Sequence, residues 1–132
     1  MTDKKRRVIL LTGDGSHQLT AQEISSMIRY GLKPIIIVLN NSGYTIERLL
    51  SANPMDEFND IPAWNYSKLP EALGGNAFVV QARTNNEFDK VLDQAAEEQS
   101  GRLCYIEIFA DKMDAPPMAK SIHDVIMQRG MT

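Results

Sequence analysis

The chain has 132 residues, enough for one hydrophobic core and too few for two. Hydrophobic residues make up 43% and charged residues 23%, which excludes disorder as the main state, and a net charge of -3 gives nucleic acid no general attraction. The longest apolar run, Ile35 to Leu39, is far below the roughly 20 residues of a bilayer span, and one cysteine, Cys104, with two distant histidines rules out an internal disulfide and the usual structural zinc site. A single cytoplasmic domain over residues 1–132 is expected, with no nucleic-acid or membrane partner. Residues 1–6 are expected to be a lead-in, and the basic cluster Lys4-Lys5-Arg6-Arg7 to be solvated.

Val8 to Leu11 and Ile35 to Leu39 are continuous apolar runs, the pattern of strands covered on both faces, and predict central strands of a parallel sheet. Between them Thr20 and Glu23 have capping-box spacing, flanked by Leu19 and Ile24 as a possible staple, and predict a helix carrying Ile24, Met27 and Ile28 that Gly31 and Pro34 stop. Thr45 to Leu50 reads as a short helix, and Ser51 to Ser67, with Pro54, Pro62 and Trp64, as irregular. Lys68 to Leu73 predicts another short helix and Phe78 to Gln81 a strand. Thr84 with Glu87 caps an amphipathic helix bearing Phe88, Val91, Leu92 and Ala95, which Gly101 ends. Leu103 to Phe109 predicts a last strand with Cys104 packed in it, and Met118, Ile122, Val125 and Ile126 a terminal helix after the Asp114-Ala115-Pro116-Pro117 turn. The alternation implies an α/β domain of three layers around a mostly parallel sheet.

Gly13-Asp14-Gly15 follows the first apolar run and Asn40-Asn41 the second, so both lie at carboxyl ends of predicted parallel strands, where such sheets bind ligands. Glycines let the backbone approach a ligand, backbone amides from Gly15 onward suit an anion, and Asp14 with Asn41 offers oxygens to Mg²⁺, which takes one or two protein oxygens plus phosphate and water. Each motif alone is ordinary turn chemistry. Together, with 24 residues between Gly15 and Asn40, they are informative. A Ser16, His17 and Asp14 triad is not workable, because neighbouring residues cannot form the relay. On spacing alone Glu47 beside Arg48 is a solvated helix pair, and Trp64 and Tyr66 are local core.

GDG, this interval and NN resemble the thiamine-diphosphate motif. The stretches Gly13 to Ser16, Gln18 to Thr20, Gln22-Glu23, Asn40 to Glu47, Asn59 to Ile61, Trp64 to Tyr66 and Asp114 to Pro117 are similar to the diphosphate-binding C-terminal domain of pyruvate and indolepyruvate decarboxylases, over residues 5 to 128. The resemblance implies a thiamine-diphosphate-binding fold and a lyase of a 2-oxo acid. It implies Mg²⁺ held by the side chains of Asp14 and Asn41 and the carbonyl of Gly43, and diphosphate contacts from Gly15 and Ser16. Tyr44, Thr45 and Ile46 would shape the cofactor pocket, and Glu47 would be the catalytic acid that meets substrate-derived intermediates. Such enzymes are oligomers that bind the cofactor against a pyrimidine-binding domain of another subunit, which supplies an activating glutamate. No residue here matches that glutamate, and His17 and His123 lie too far apart to be the adjacent catalytic histidines of this branch. The chain is therefore expected to be about a quarter of an enzyme, inactive alone. A naturally short subunit of a split enzyme and a non-enzymatic flavodoxin-like binding domain stand as alternatives.

Overall fold

The computed structural model describes residues 6–98 and 101–128, less the side chains of His123, Ile126 and Met127. Its strands are β1 (Ile9–Gly13), β2 (Ile35–Asn40), β3 (Phe78–Ala82) and β4 (Cys104–Phe109). The helices are α1 (Asp14–Thr20), α2 (Glu23–Arg29), α3 (Thr45–Leu50), α4 (Leu69–Ala72), α5 (Asn85–Glu97) and α6 (Pro117–Gln128), with single 3₁₀ turns at Glu57–Asn59 and Tyr66–Lys68. The four strands form one parallel sheet in the order β1-β2-β4-β3.

The continuous apolar run of β2 follows from its central position, which β4 shares. Successive side chains point to opposite faces of a sheet. Ile35, Ile37, Cys104 and Ile106 pack with Ala82, Val91 and Ala95 under α5. Ile36, Val38, Leu103 and Tyr105 pack on the other face with Ile24, Tyr66, Met27 and Leu69. Helices on both faces make the three layers that the pattern predicts. The Thr84 capping box forms as expected: Thr84 Oγ1 accepts from Glu87 N at 3.2 Å, and the Glu87 carboxylate accepts from Thr84 N at 3.2 Å.

Three expectations need correction. First, β1 shares the apolar pattern of β2 but is an edge strand, and Ile9 and Leu11 are 63% and 70% exposed. A continuous apolar run reports a strand suited to burial on both faces, and among the described residues the Ile9 and Leu11 side chains of β1 are left largely uncovered. Second, no cap forms at Thr20. The chain is helical from Asp14, Thr20 is the last residue of α1, and the amides at the head of α2 are met by the preceding turn, Ile24 N by Ala21 O and Ser25 N by Gln22 O. Third, Arg7 is no solvated lead-in. Its guanidinium donates to the carbonyls of Lys33, Ala95 and Arg102 at 2.7–2.9 Å and to Cys104 Sγ at 3.0 Å, tying the start of β1 to the end of α5 and the start of β4. Arg6 is exposed, and the rest of the expected lead-in lies outside the described residues.

Candidate functional site

β1 and β2 are paired neighbours, with Gly13 opposite Leu39, so their carboxyl ends deliver Asp14 and the Asn40-to-Gly43 loop to one place. Asp14 is 1% exposed. One of its carboxylate oxygens accepts from Gly15 N at 2.8 Å, and the other reaches across to accept from Gly43 N at 3.2 Å. The loop reaches this position through left-handed backbone at Ser42 (φ 60°) and Gly43 (φ 128°), and a Cβ on Gly43 would run into the Asn59 carbonyl. Gly15 leaves room of another kind: a Cβ there would displace the Tyr44 ring, which packs over it.

The Asn41 carboxamide sits between these groups. With its nitrogen donating to Thr45 Oγ1 at 2.7 Å, its oxygen faces Gly43 O at 3.0 Å and Asp14 Oδ1 at 3.2 Å; turned over, its nitrogen would donate to both. In the first arrangement three oxygens gather with no hydrogen between them. An octahedron with bonds of about 2.1 Å has adjacent ligands about 3.0 Å apart, so this spacing fits Mg²⁺. Among the described residues no three His, Cys, Asp or Glu side chains gather as a metal site, so a cation here relies on one carboxylate and two neutral oxygens.

Arg48 holds this loop from behind, and the sequence reading missed it. Its side chain is fully buried, not solvated, and its partner is Asp60 rather than the exposed Glu47. The guanidinium donates to Pro54 O at 3.0 Å, Ser42 O at 3.2 Å and Asn59 O at 3.0 Å as well as to the Asp60 carboxylate, and that bond holds Asp60 below the usual carboxylate range. Asn59 O also accepts from Tyr44 N. The irregular 51–67 stretch is thereby fastened to the Asn41 loop. No periodicity in the sequence signals this; a buried cation paired twelve residues away is visible only in three dimensions. Glu107 was also missed, although a carboxylate inside a buried apolar run was an available signal. Its carboxylate accepts from Asn40 Nδ2 at 2.8 Å and Gln81 Nε2 at 2.7 Å, joining three strands at their carboxyl ends.

Of the remaining expected site residues, Tyr44 ends the loop and Thr45 opens α3, while Ser16, Ile46 and Glu47 are exposed. His17 takes no part in a triad: its Nε2 is 2.9 Å from the Tyr105 hydroxyl, and the ring lies buried near Tyr66. A groove of about 610 Å³ lined by Lys68, Glu71, Asn76 and β3 residues shares no residue with the Asp14 loop.

Burial lowers the His17 pKa below its ordinary 6.5 because the imidazolium is poorly solvated there. The unfolded chain takes up a proton near pH 6.5 that the folded chain refuses, so stability is full above that pH and falls as the pH drops below it. A single proton sets an upper limit of about 1.4 kcal/mol per pH unit. Urea midpoints at pH 7.5 and 5.5 should therefore fall further apart for the wild type than for His17→Gln; equal differences would show that His17 binds its proton as readily folded as unfolded.

Comparison with known proteins bears on the whole chain. Residues 1–108 match the family described as thiamine pyrophosphate enzyme, C-terminal TPP binding domain. Pyruvate decarboxylase isozyme 1 of Saccharomyces cerevisiae is 44% identical over 115 residues, covering 86% of this chain and 20% of that protein. An alpha-keto-acid decarboxylase of Mycobacterium ulcerans is 41% identical over 114 residues, again 86% of this chain and 20% of that protein. The structure of benzoylformate decarboxylase from Polynucleobacter necessarius superposes with a TM-score of 0.69 at 24% identity, over 86% of this chain and 21% of that one, which establishes a shared fold. The matched part thus spans about a fifth of the length of these relatives. Matched over most of its length, and carrying both loop motifs at the paired ends of β1 and β2, the chain belongs to the thiamine pyrophosphate enzymes, in the family of their C-terminal TPP-binding domain.

Proposed function

We propose that this chain is the diphosphate- and Mg²⁺-binding part of a cytoplasmic 2-oxo acid decarboxylase of the pyruvate or indolepyruvate type. The observation that carries the proposal is the meeting of the Asp14 carboxylate, the Gly43 carbonyl and the Asn41 carboxamide, one end of which stands 3.0 Å from Gly43 O and 3.2 Å from Asp14 Oδ1, at the ends of two paired parallel strands. In this reading Asp14, Asn41 and the Gly43 carbonyl hold Mg²⁺, Gly15 and Ser16 meet the diphosphate, and Tyr44, Thr45 and Ile46 form the wall toward the rest of the cofactor. Thiamine diphosphate, when bound, supplies the nucleophilic carbon and the electron sink that decarboxylation of a 2-oxo acid requires. In the same reading Glu47, exposed on the first turn of α3, exchanges a proton with the reacting end of a bound molecule.

The same reading gives the chain partners. A single carboxylate and an open loop make half a site, and exclusion of water needs a second surface. A pyrimidine-binding domain from another chain or region is that surface, and the bare apolar side chains of β1 suit an oligomer. Among the described residues no helix is long and apolar enough to cross a membrane.

Calorimetric titration of the chain with thiamine diphosphate, with and without Mg²⁺, tests the proposal. Binding is expected only with Mg²⁺, together with no 2-oxo acid turnover by the isolated chain. Binding that ignores Mg²⁺, or CO₂ release by the chain alone, would overturn it.

A further inference from the structure

Thr45 Oγ1 lies between two groups that make opposite demands on it. It is 2.9 Å from the backbone carbonyl of Lys112, which can only accept, and 2.7 Å from the Asn41 carboxamide, which can donate or accept. A threonine hydroxyl has one hydrogen, and its position follows from what its neighbours need. If that hydrogen goes to Lys112 O, only a lone pair faces Asn41, so Asn41 must present its nitrogen to Thr45 and its oxygen to Asp14 and Gly43. If the hydrogen goes to Asn41, the amide turns over and its nitrogen donates to Gly43 O at 3.0 Å and Asp14 Oδ1 at 3.2 Å. Hydroxyl and amide are locked together.

We propose that Thr45 is a positioning residue for the cation: its hydroxyl, aimed by the Lys112 carbonyl, turns the Asn41 carboxamide oxygen onto the metal held by Asp14 and Gly43. The proposal rests on the reading of those three residues as cation ligands. Without a cation the turned-over arrangement is the better one, because it makes two bonds from the amide and one from the hydroxyl, against two bonds in all for the other arrangement with its three facing oxygens. A cation between the oxygens reverses the preference. Metal binding therefore also engages Lys112 O, in the turn between β4 and α6, and the Lys112 ammonium stands 3.4 Å from the Asp60 carboxylate that Arg48 holds. Occupancy of the loop is felt on both its flanks.

Removing the hydroxyl takes two hydrogen bonds from the cation-bound arrangement and one from the cation-free arrangement. The difference of one bond weakens the cation roughly five- to tenfold. Mn²⁺ titrations followed by paramagnetic resonance in the presence of thiamine diphosphate, on wild type, Thr45→Ser and Thr45→Val, read this. Thr45→Ser is expected to bind like wild type and Thr45→Val five- to tenfold more weakly. Equal affinity of Thr45→Val and wild type overturns the proposal. Nuclear Overhauser contacts of the Asn41 side-chain NH₂ in the wild-type chain provide a measurement that needs no variant. They are expected to move from Gly43 to Thr45 when Mg²⁺ and thiamine diphosphate are added, and NH₂ protons that stay beside Gly43 overturn it too. Failure of the wild type to take up any cation overturns the ligand reading itself, whereas uptake indifferent to Thr45 overturns only the positioning role.

Discussion

Asp14→Ala is expected to abolish Mg²⁺-dependent binding of thiamine diphosphate, by at least about a hundredfold. The carboxylate is the single anionic group proposed to hold the cation, and removing a charged partner from a buried site costs several kcal/mol. The sequence alone suggests a loop alanine that strands nothing. The structure corrects this: the carboxylate accepts from the amides of Gly15 and Gly43, and both donors lose their partner in the variant. Asp14→Ala is therefore expected to lose about 1–3 kcal/mol of stability as well as its ligand. Asp14→Asn separates the two effects, since its amide oxygen still accepts one of these bonds while the negative charge is gone. It should be less destabilised than the alanine variant and bind the cation nearly as poorly. Calorimetry and urea midpoints on both variants check this. Unchanged affinity in either would remove Asp14 from the cation site.

The second large effect belongs to Arg48, where Arg48→Met is expected to cost about 2–4 kcal/mol. The methionine fills much of the space but strands the carbonyls of Ser42 and Pro54, while Asn59 O keeps its bond from Tyr44 N. Asp60 is about half exposed and retains Lys112, so Asp60→Asn should shift the urea midpoint much less than Arg48→Met. That inequality separates two accounts of the guanidinium. If the ion pair were what matters, the two variants would fall together; if it is the bonds to the loop carbonyls, Arg48→Met falls alone. Gly43 and Tyr44 lie directly on this clamp, so slower-exchanging amides there in wild type than in Arg48→Met would confirm that the Asn41 loop depends on it.

What the sequence determined by itself was whatever is local in the chain. A continuous apolar run specifies a strand buried on two faces, and β2 is such a strand with helices on either side. Thr84 and Glu87 cap α5 because a capping box needs only three residues' separation. GDG and NN mark the loops because Gly, Asp and Asn are the residue types that turn the chain at a strand end. Tertiary structure decided the rest, for reasons of distance. Nothing local tells an edge strand from a central one, so β1 reads like β2 and lies bare. Thr20 has the spacing of a cap but is already inside a helix begun at Asp14, and a residue cannot be helical and cap the next helix together. Arg7 and Arg48 read as solvated charges and are instead bound to carbonyls brought close by the fold. The direction of the Asn41 amide depends on Lys112, 71 positions along the chain, which only the packing of β4 beside β2 places within reach.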